Sequence, residues 1–255
     1  MESLGVKYHY DDFTEEHYLK CISLAKEKYY FALFHETPSI PHVYWRHDID
    51  LSPQRALKLA KIESSLGVRA TYFLLLHSEF YNLLEPSVIE SIHDILKEGH
   101  GLGLHFDASI YGDNEKEEIE KYLSFEKNII ETLWNVKIEA LSFHNPDVGG
   151  FFKEDVLSGM RNVYGETMMR EYEYCSDSNG YWRFDRLYDL LHQENFKKLQ
   201  VLTHPCWWTP DPLSPRERVT RCIEGRAQKT HDRYDAFLKK NNRLNVGWEE
   251  KLYNE

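Results

Sequence analysis

The sequence lacks several features that define whole classes of protein. Its 255 residues include only four cysteines, and no two of them form a Cys-x-x-Cys pair. We therefore interpret them as reduced thiols and expect neither a disulfide framework nor a cysteine-only zinc site. No apolar run approaches the roughly 20 residues of a membrane-spanning helix. The first residues also lack the basic and apolar regions of a secretory signal, so we expect a soluble, cytoplasmic protein without membrane insertion.

Positive charge is also scarce. Lysine and arginine total 31, whereas aspartate and glutamate total 42, which gives a formal net charge of −11. An acidic protein repels phosphate backbones through its overall field, and no long basic patch is present, so nucleic acid is not an expected partner. We expect a small-molecule or oligosaccharide substrate, and the sequence predicts no oligomeric state. Hydrophobic residues, at 42%, suffice for one sizeable core.

The sequence does contain a repeating order of short apolar strand, polar turn and amphipathic helix. Ser52 and Pro53 suit the start of a helix that Gly67 ends, and Ser87 with Glu90 resembles a capping box. Alternating strands and helices predict a parallel sheet in an α/β domain. Strands are predicted at 42–47, 70–76, 102–106, 138–143 and 199–203, and helices at 15–35, 114–133, 152–160, 185–194 and 214–240, the last as a solvated outer layer.

Polar side chains follow these predicted strands at their carboxyl ends. Asp48 and Asp50 end the first strand, and His105, His144 and His204 lie at the ends of later ones. In an α/β barrel this edge carries the chemistry, because loops from several strands converge there. Carboxylates and imidazoles are the ligands that zinc and similar divalent ions prefer, and further groups of both kinds perform acid–base catalysis.

Structural roles compete with this interpretation. Asp50 can cap the following helix, Asp107 can cap or orient a neighbour, and a lone histidine such as His144 is often only hydrogen bonded. His47 is expected to point away from Asp48, because neighbouring residues of a strand face opposite sides. Two close carboxylates, however, repel each other unless a cation lies between them, and this favours a metal site at the Asp-x-Asp pair.

The order of these motifs resembles that of the polysaccharide deacetylase superfamily, the NodB-type carbohydrate esterases, in a divergent branch whose first motif reads Arg-His-Asp-hydrophobic-Asp. The resemblance extends from about residue 43 to about residue 208. It is carried by Arg46–Asp50, by GVRATYFLL at 67–75, by EGHGLGLH at 98–105 and by LTHP at 202–205.

The resemblance implies a fold and an activity. The fold is a distorted (β/α) barrel of about seven parallel strands, of the glycoside hydrolase/deacetylase type. We expect a single domain over 1–255, with the helical segments 1–40 and 214–255 added to the barrel. The implied enzyme is a metal-dependent hydrolase, with zinc as the expected ion. It would cleave an N-acetyl or similar N-acyl group from a sugar or sugar-linked precursor, for example in surface polysaccharide synthesis.

The family's site residues transfer to this chain position by position. Asp48 matches the catalytic base, and His204 matches the general acid that protonates the leaving amine. Asp50 takes the place of the metal-binding aspartate, although one residue separates two aspartates that are adjacent in the family. His105 matches the first histidine of a His-Ser/Thr-x-x-His motif. The second histidine of that motif is missing, because Ser109 stands there.

His144 lies where the family has the arginine of an Arg-x-Pro motif, with Pro146 retained. Two alternatives remain open. His144 replaces the missing ligand and completes the set Asp50, His105 and His144, or it orients Asp48 as the family's arginine does.

The expected substrate-binding residues follow the late strands. Asp177, Trp182 and Arg183 lie near the family's fourth motif, which supplies an aspartate and an aromatic wall, and Trp207 follows the general acid. Asp177 equally suits a simple Asp-Ser-Asn-Gly turn. Arg183 would anchor an anionic substrate group or form a surface ion pair.

Two other functions remain open, and the missing histidine favours the first of them. One is a metal-free amide or cyclic amide hydrolase of the same fold. The other is a non-catalytic, carbohydrate-binding relative.

Overall fold

A computed structural model describes the chain at residues 8–112, 116–145, 153–182, 184–193 and 196–247. The helices in this part are α1 (Glu15–Lys28), α2 (Pro53–Ser65), α3 (Pro86–Lys97), α4 (Lys116–Trp134), α5 (Glu166–Glu171), α6 (Leu187–Gln193) and α7 (Pro215–Lys240). The strands are β1 (Tyr30–Phe31), β2 (His42–Ile49), β3 (Thr71–Leu75), β4 (Gly101–Phe106), β5 (Ala140–Phe143), β6 (Val156–Leu157), β7 (Met160–Asn162), β8 (Glu173–Ser176) and β9 (Lys198–Thr203).

The strands form one sheet in the order β6-β7-β5-β4-β3-β2-β9-β8, with β1 beside β2. Every pairing in the described part is parallel except that of β6 with β7. The path from β7 to β8 therefore contains seven parallel strands, which is the number that the sequence resemblance implies.

The two ends of this path curl towards each other. Across the described residues no backbone ladder joins β8 to β6 or β7, but side chains span the gap. The Gln200 side-chain amide donates to the Val163 carbonyl at 3.2 Å, and the rings of Tyr164 and Tyr174 meet edge to face at 6.4 Å. The sheet is thus a partly open, distorted (β/α) barrel, and the predicted fold class is confirmed.

Local sequence signals explain several element boundaries. Ser52 Oγ accepts a hydrogen bond from the Arg55 amide at 3.3 Å, Pro53 opens α2, and Gly67 follows its end with a φ of 68°. These are the predicted caps. The predicted capping box at Ser87 is wrong, because α3 begins at Pro86 and its N-cap makes no side-chain hydrogen bond. A proline suits the first helical turn, since its missing N–H would have no partner there.

Two predicted helices differ from the structure. The helix predicted over 15–35 ends at Lys28, where the chain extends into β1. The helix predicted over 152–160 is replaced by the β6–β7 hairpin. Ser158 and Gly159 form its two-residue turn with φ values of 47° and 72°. Positive φ at both central positions matches the turn type that fits the twist of a hairpin.

Two further observations bear on the chain's setting. The four cysteines are free thiols. No helix in the described ranges combines the length and the apolar character needed to cross a bilayer.

Candidate metal and catalytic site

The five residues expected to carry the chemistry meet at the carboxyl edge of the sheet. Asp48 lies near the end of β2 and Asp50 directly follows that strand. His105 lies in β4, His144 follows β5, and His204 follows β9. The sheet order β5-β4-β3-β2-β9 makes these strands near neighbours. Parallel strands end at a common edge, so residues far apart in the chain share one site.

Asp50 lies at the centre of the cluster. Its Oδ1 is 3.1 Å from His105 Nε2 and 3.7 Å from His144 Nδ1, while its Oδ2 is 3.7 Å from His204 Nε2. His144 Nδ1 is itself 3.1 Å from His105 Nε2. One ligand atom each from Asp50, His105 and His144 lie within 4.8 Å of one another, as a shared metal ion requires.

The hydrogen-bond partners of His105 favour an ion at this position. Its Nδ1 is 3.0 Å from the Ser142 carbonyl, which only accepts, so Nδ1 carries a hydrogen. In the neutral ring Nε2 then presents a lone pair to Asp50 Oδ1, an atom that is buried and receives no hydrogen bond in the described part of the chain. Two acceptors at this distance repel unless a proton or a cation lies between them. The residues present therefore fit a divalent ion.

The pKa shifts in the cluster also favour a positive charge beside Asp50. Burial disfavours a protonated His105, but the carboxylates of Asp48 and Asp50 outweigh burial and raise the pKa of its imidazole. Burial likewise disfavours an ionised Asp50, yet the His105 and His204 rings outweigh it and lower the pKa of this carboxyl. The pocket thus stabilises positive charge beside Asp50, and a divalent cation would supply it.

Asp48 is held differently from Asp50. Both of its oxygens lie 2.8 Å from Arg46 Nη1, and Ser142 Oγ donates to its Oδ2 at 2.8 Å. Burial alone would raise the pKa of Asp48, but the Arg46 guanidinium outweighs burial and holds it at about 2. Asp48 is therefore ionised at neutral pH and fixed in direction. Arg46 lies two positions earlier in the strand and so shares a face with Asp48.

The two partners of Asp48, Arg46 and Ser142, were not predicted from the sequence. The alternation of residues 46, 48 and 50 along one face of β2 was a signal that could have identified Arg46. Ser142 could have been found in the same way, two positions before His144. Because Arg46 occupies the orienting position beside Asp48, His144 faces Asp50 and His105 instead.

His204 is held by Asp177. The His204 ring Nδ1 lies 2.7 Å from Asp177 Oδ1, and the His204 amide lies 3.0 Å from each carboxylate oxygen. The Trp208 indole donates to Asp177 Oδ2 at 2.8 Å. Burial lowers the pKa of His204, but the Asp177 carboxylate outweighs it and raises the pKa to about 9. The His204 ring is therefore protonated at neutral pH, and its Nε2 is directed towards Asp50.

The expected substrate-binding residues have a different setting. Asp177 is fully buried beneath His204, and the rings of Trp182 and Trp207 belong to the main hydrophobic core. The Trp182 indole donates to Asp12 at 2.7 Å. Arg183 lies outside the described residues, as does Pro146 of the Arg-x-Pro motif. A substrate contact by any of these residues stays a prediction.

Three residues weighed in the sequence lie away from the cluster. His47 points to the opposite face of β2, where its Nε2 contacts Glu63 at 2.7 Å and its Nδ1 contacts Thr203 at 2.7 Å. Asp107 caps a short 3₁₀ helix by accepting hydrogen bonds from the Ser109 amide and hydroxyl, at 3.0 and 2.6 Å. Ser109 thus serves its own turn.

Comparison with solved structures gives three examples of similarity. Peptidoglycan deacetylase PdaC from Bacillus subtilis is 14% identical, with a TM-score of 0.42 over 80% of this chain and 97% of that one. A carbohydrate esterase family 4 pseudoenzyme from Bacillus anthracis is 11% identical, with a TM-score of 0.41 over 76% and 63%. A family 4 acetyl xylan esterase from Clostridium thermocellum, in complex with a cobalt ion, is 12% identical, with a TM-score of 0.38 over 74% and 84%.

No protein-family model matches the sequence, and no curated protein matches it. The chain spans slightly less than two thirds of the length of the pseudoenzyme, at 63%.

Proposed function

We propose that the protein is a metal-dependent hydrolase that removes an N-acetyl or similar N-acyl group from a sugar or a sugar-linked precursor. One observation carries the proposal. Asp50, His105 and His144 converge on a point that demands positive charge, between an ionised carboxylate, Asp48, and a protonated imidazole, His204. The motif resemblance supplies the class of substrate.

The ion would be held by Asp50, His105 and His144. One carboxylate and two imidazoles form a ligand set used by catalytic zinc, which keeps a position open for water or substrate. A divalent ion held by these residues would supply Lewis acidity towards the amide carbonyl and would lower the pKa of water. The assignment of His144 to the ion rather than to Asp48 is supported by Arg46, which already orients Asp48.

Asp48 would accept the proton of the attacking water. Arg46 and Ser142 keep the carboxylate ionised and hold it in one direction, so no reorganisation is needed when the water approaches. A pKa of about 2 makes Asp48 a weak base, so the proton transfer depends on water that is acidified within the site.

His204 would protonate the leaving amine. The Asp177 carboxylate raises the pKa of His204, and this favours a protonated ring that has a hydrogen to donate. Asp177 fixes Nδ1, so the proton that is donated is the one on Nε2, on the side of Asp50. Asp177 is in this scheme a positioning residue, because it acts through His204.

The test combines metal analysis with an assay of acetate release. We expect the wild type to hold a divalent ion and to release acetate from N-acetylated sugars once loaded with zinc or cobalt. His144→Ala should lose the ion, whereas His93→Ala, which removes an exposed histidine from α3, should keep it. Full occupancy in His144→Ala would contradict the ligand assignment.

Two other outcomes would favour the alternatives. Undiminished hydrolysis after complete removal of metal would favour a metal-free amide hydrolase. Sugar binding without any acetate release would favour a non-catalytic relative.

A further inference from the structure

A cavity of about 280 Å³ begins directly beyond the candidate metal ligand Asp50. Leu51 and Ser52, the next two residues of the chain, form part of its wall. Phe80 and Tyr81, from the segment that follows β3, form another part, and helix α7 closes the opposite side. The cavity thus adjoins the chain segment that directly follows the catalytic end of β2.

Hydrogen bonds tie this wall to the strand end that carries the site. The Tyr81 hydroxyl donates to the Ile49 carbonyl at 2.8 Å, and Ser78 Oγ donates to the Asp50 carbonyl at 2.7 Å. Consecutive Cα atoms are about 3.8 Å apart. Leu51 and Ser52 therefore bring one edge of the cavity wall within two residues of Asp50.

The cavity wall is strongly basic for so acidic a chain. Arg55 from α2 joins Arg221, Arg226 and Lys229 from α7, and Glu85 is the one carboxylate in the described wall. The sequence alone shows no long basic patch. The structure assembles one from two helices that are far apart in the chain, so α7 is more than the solvated outer layer predicted.

The cations differ in how far they are already neutralised. Arg55 and Arg226 each contact one carboxylate, at 2.7 and 3.1 Å, and Lys229 contacts a serine hydroxyl at 3.2 Å. Arg221 is exposed and has no ion pair or hydrogen bond within the described ranges. Arg221 and Lys229 thus leave positive charge for an incoming anion.

The cationic residues of α7 flank one point of the helix. Positions 221, 225 and 229 recur every four residues and so lie on one face of α7. Arg221 and Lys229 therefore stand one turn to either side of Gly225, and their long side chains can reach one anion placed over that glycine. Guanidinium groups match the oxygens of phosphate geometrically and bind them by charge-assisted hydrogen bonds.

We propose that this cavity binds the diphosphate of a diphosphate-linked N-acyl sugar and so presents its amide to Asp50, His105 and His144. The part that concerns the amide rests on the proposed function. The anion site rests on the cavity and its charges alone. A nucleoside diphosphate and a polyprenyl diphosphate share this chemistry, and the substrates compared below distinguish them.

Gly225 provides a matched pair of test variants. It lines the cavity, and a Cβ atom built there meets nothing within 4 Å. Gly225→Glu therefore adds a negative charge to the cavity, whereas Gly225→Gln adds a neutral side chain of the same size. Neither change should weaken α7, because glycine is the poorer helix former.

The first measurement is calorimetric binding of inorganic pyrophosphate to the full chain at fixed ionic strength. Both variants keep the candidate metal site, so any pyrophosphate that binds at that site contributes equally to both measurements and does not affect their difference. We expect Gly225→Glu to bind at least about 10-fold more weakly than Gly225→Gln, because like charges repel at close range. Equal affinities would overturn the anion site.

A second pair removes one positive charge from α7. Arg221→Gln should weaken pyrophosphate binding about 5- to 10-fold, since a charge-assisted hydrogen bond is lost. Arg216→Gln removes an exposed arginine of the same helix that does not line the cavity, and we expect less than about a 2-fold change. An equal loss in both would show diffuse surface attraction and overturn the site.

The last measurement compares kcat/KM of the metal-loaded enzyme for three N-acetylhexosamines. One is free, one is linked to uridine diphosphate, and one is linked to a short polyprenyl diphosphate. We expect one linked sugar, which identifies the source of the diphosphate, to exceed the free sugar at least about 10-fold. Gly225→Glu should remove that advantage and leave the free sugar unchanged.

The outcomes separate the two proposals. Equal kcat/KM for the free and linked sugars would overturn the diphosphate inference and leave the proposed function intact. No hydrolysis of any of the three, with pyrophosphate binding as expected, would overturn the proposed function and leave the anion site.

Discussion

Strand β2 separates two clusters that are built from the same kinds of residue. His47 points to one face, where it meets the carboxylate of Glu63, and Asp48 points to the other, where Asp50 lies with its histidines. Both clusters combine buried carboxylate with imidazole. They differ in what each leaves without a partner.

The Glu63 cluster is closed. Its Oε1 accepts hydrogen bonds from the Tyr18 hydroxyl and from His47 Nε2, and its Oε2 accepts one from the Tyr72 hydroxyl at 2.8 Å. The Trp45 indole donates to the Tyr18 oxygen at 2.9 Å. Burial disfavours the carboxylate, but His47 outweighs burial and lowers the pKa of Glu63. Both carboxylate oxygens have partners, so the cluster joins α1 and α2 to the sheet and has no acceptor left for a ligand.

The Asp50 cluster is open. Asp50 Oδ1 accepts no hydrogen bond within the described residues, and the Nδ1 hydrogen of His105 is committed to the Ser142 carbonyl. Buried polar atoms are normally paired, so an unpaired one in a cleft needs an explanation. Unsatisfied acceptors, rather than the presence of carboxylate and imidazole, thus distinguish a binding site from a structural network.

Asp48→Asn tests the open cluster most severely. The variant keeps the size of the side chain but removes the group that accepts a proton, so we expect kcat/KM to fall by about 10³-fold. The ion should remain bound, because Asp50, His105 and His144 are unchanged. Normal turnover by a pure variant would refute the catalytic role of Asp48. The measurements are kcat/KM and metal content, both on the same preparation of the variant.

Glu63→Gln applies the same conservative change to the closed cluster. The amide nitrogen replaces one acceptor oxygen and faces at least one of the donors that Glu63 now accepts from, so we expect the free energy of unfolding to fall by about 3 kcal/mol. The fraction that remains folded should keep its metal and most of its activity. Urea denaturation gives the stability, and the specific activity of the folded protein is the control. If this variant lost its metal at unchanged stability, the two clusters would not be separate.

Addition and removal of metal should affect stability through the Asp50 cluster and not through the Glu63 cluster. An ion that binds only the folded chain adds about 2.7 kcal/mol to the free energy of unfolding when its concentration is 100 times Kd. We expect zinc to raise the unfolding midpoint of the wild type, and a chelator to reverse the rise. Glu63→Gln should show the same increment from a lower starting point, whereas Asp50→Asn should show none. An equal increment in Asp50→Asn would place the ion elsewhere.

The sequence allowed the open cluster to be predicted, because strand ends of a parallel sheet share one edge. The strands β2, β4 and β9 were predicted at 42–47, 102–106 and 199–203, close to their observed bounds, so the positions of Asp48, His105 and His204 at the strand ends followed from the pattern of strands and helices. The partners of these residues did not follow. Asp177 meets His204 through β8, which spans only Glu173–Ser176 and is too short to show a period.

The β6–β7 hairpin and the basic cavity could not be predicted from the sequence for similar physical reasons. The β6–β7 hairpin has two and three residues in its strands, so the segment was predicted as a helix. The basic cavity depends on the packing of α7 against α2 and the segment after β3, and contacts between distant elements leave no local pattern. The net charge therefore predicted an acidic overall field and gave no sign of the basic cavity.

A third buried carboxylate, that of Glu126 in α4, combines features of the closed and open clusters, because one of its oxygens is paired and the other is not. Its Oε1 accepts a hydrogen bond from the Tyr111 hydroxyl at 2.6 Å and lies 3.4 Å from His77 Nε2, whereas its Oε2 is buried without a hydrogen bond in the part of the chain described. Burial is the main influence and raises the pKa of Glu126 to about 7.

The direction of the resulting pH dependence follows from that pKa. Between about pH 4.5 and pH 7 the folded chain retains a proton that the unfolded chain releases, so the Glu126 contribution to stability falls as pH rises and is fully lost above pH 7. Glu126→Gln does not ionise. We expect its stability relative to wild type to increase by about 2 kcal/mol from pH 5 to pH 8, as measured by urea unfolding.

Glu118→Gln, on the exposed side of the same helix, is the control and should track the wild type at every pH. A pH-independent difference between the variant and wild type would change the assignment of Glu126. If Glu126→Gln differed from wild type by the same amount at pH 5 and pH 8, Glu126 would already be ionised in the folded chain at pH 5. A positive charge, such as a protonated His77, would then have to lie beside it, and Glu126 would belong with the closed cluster around Glu63 rather than with unpaired acceptors like Asp50.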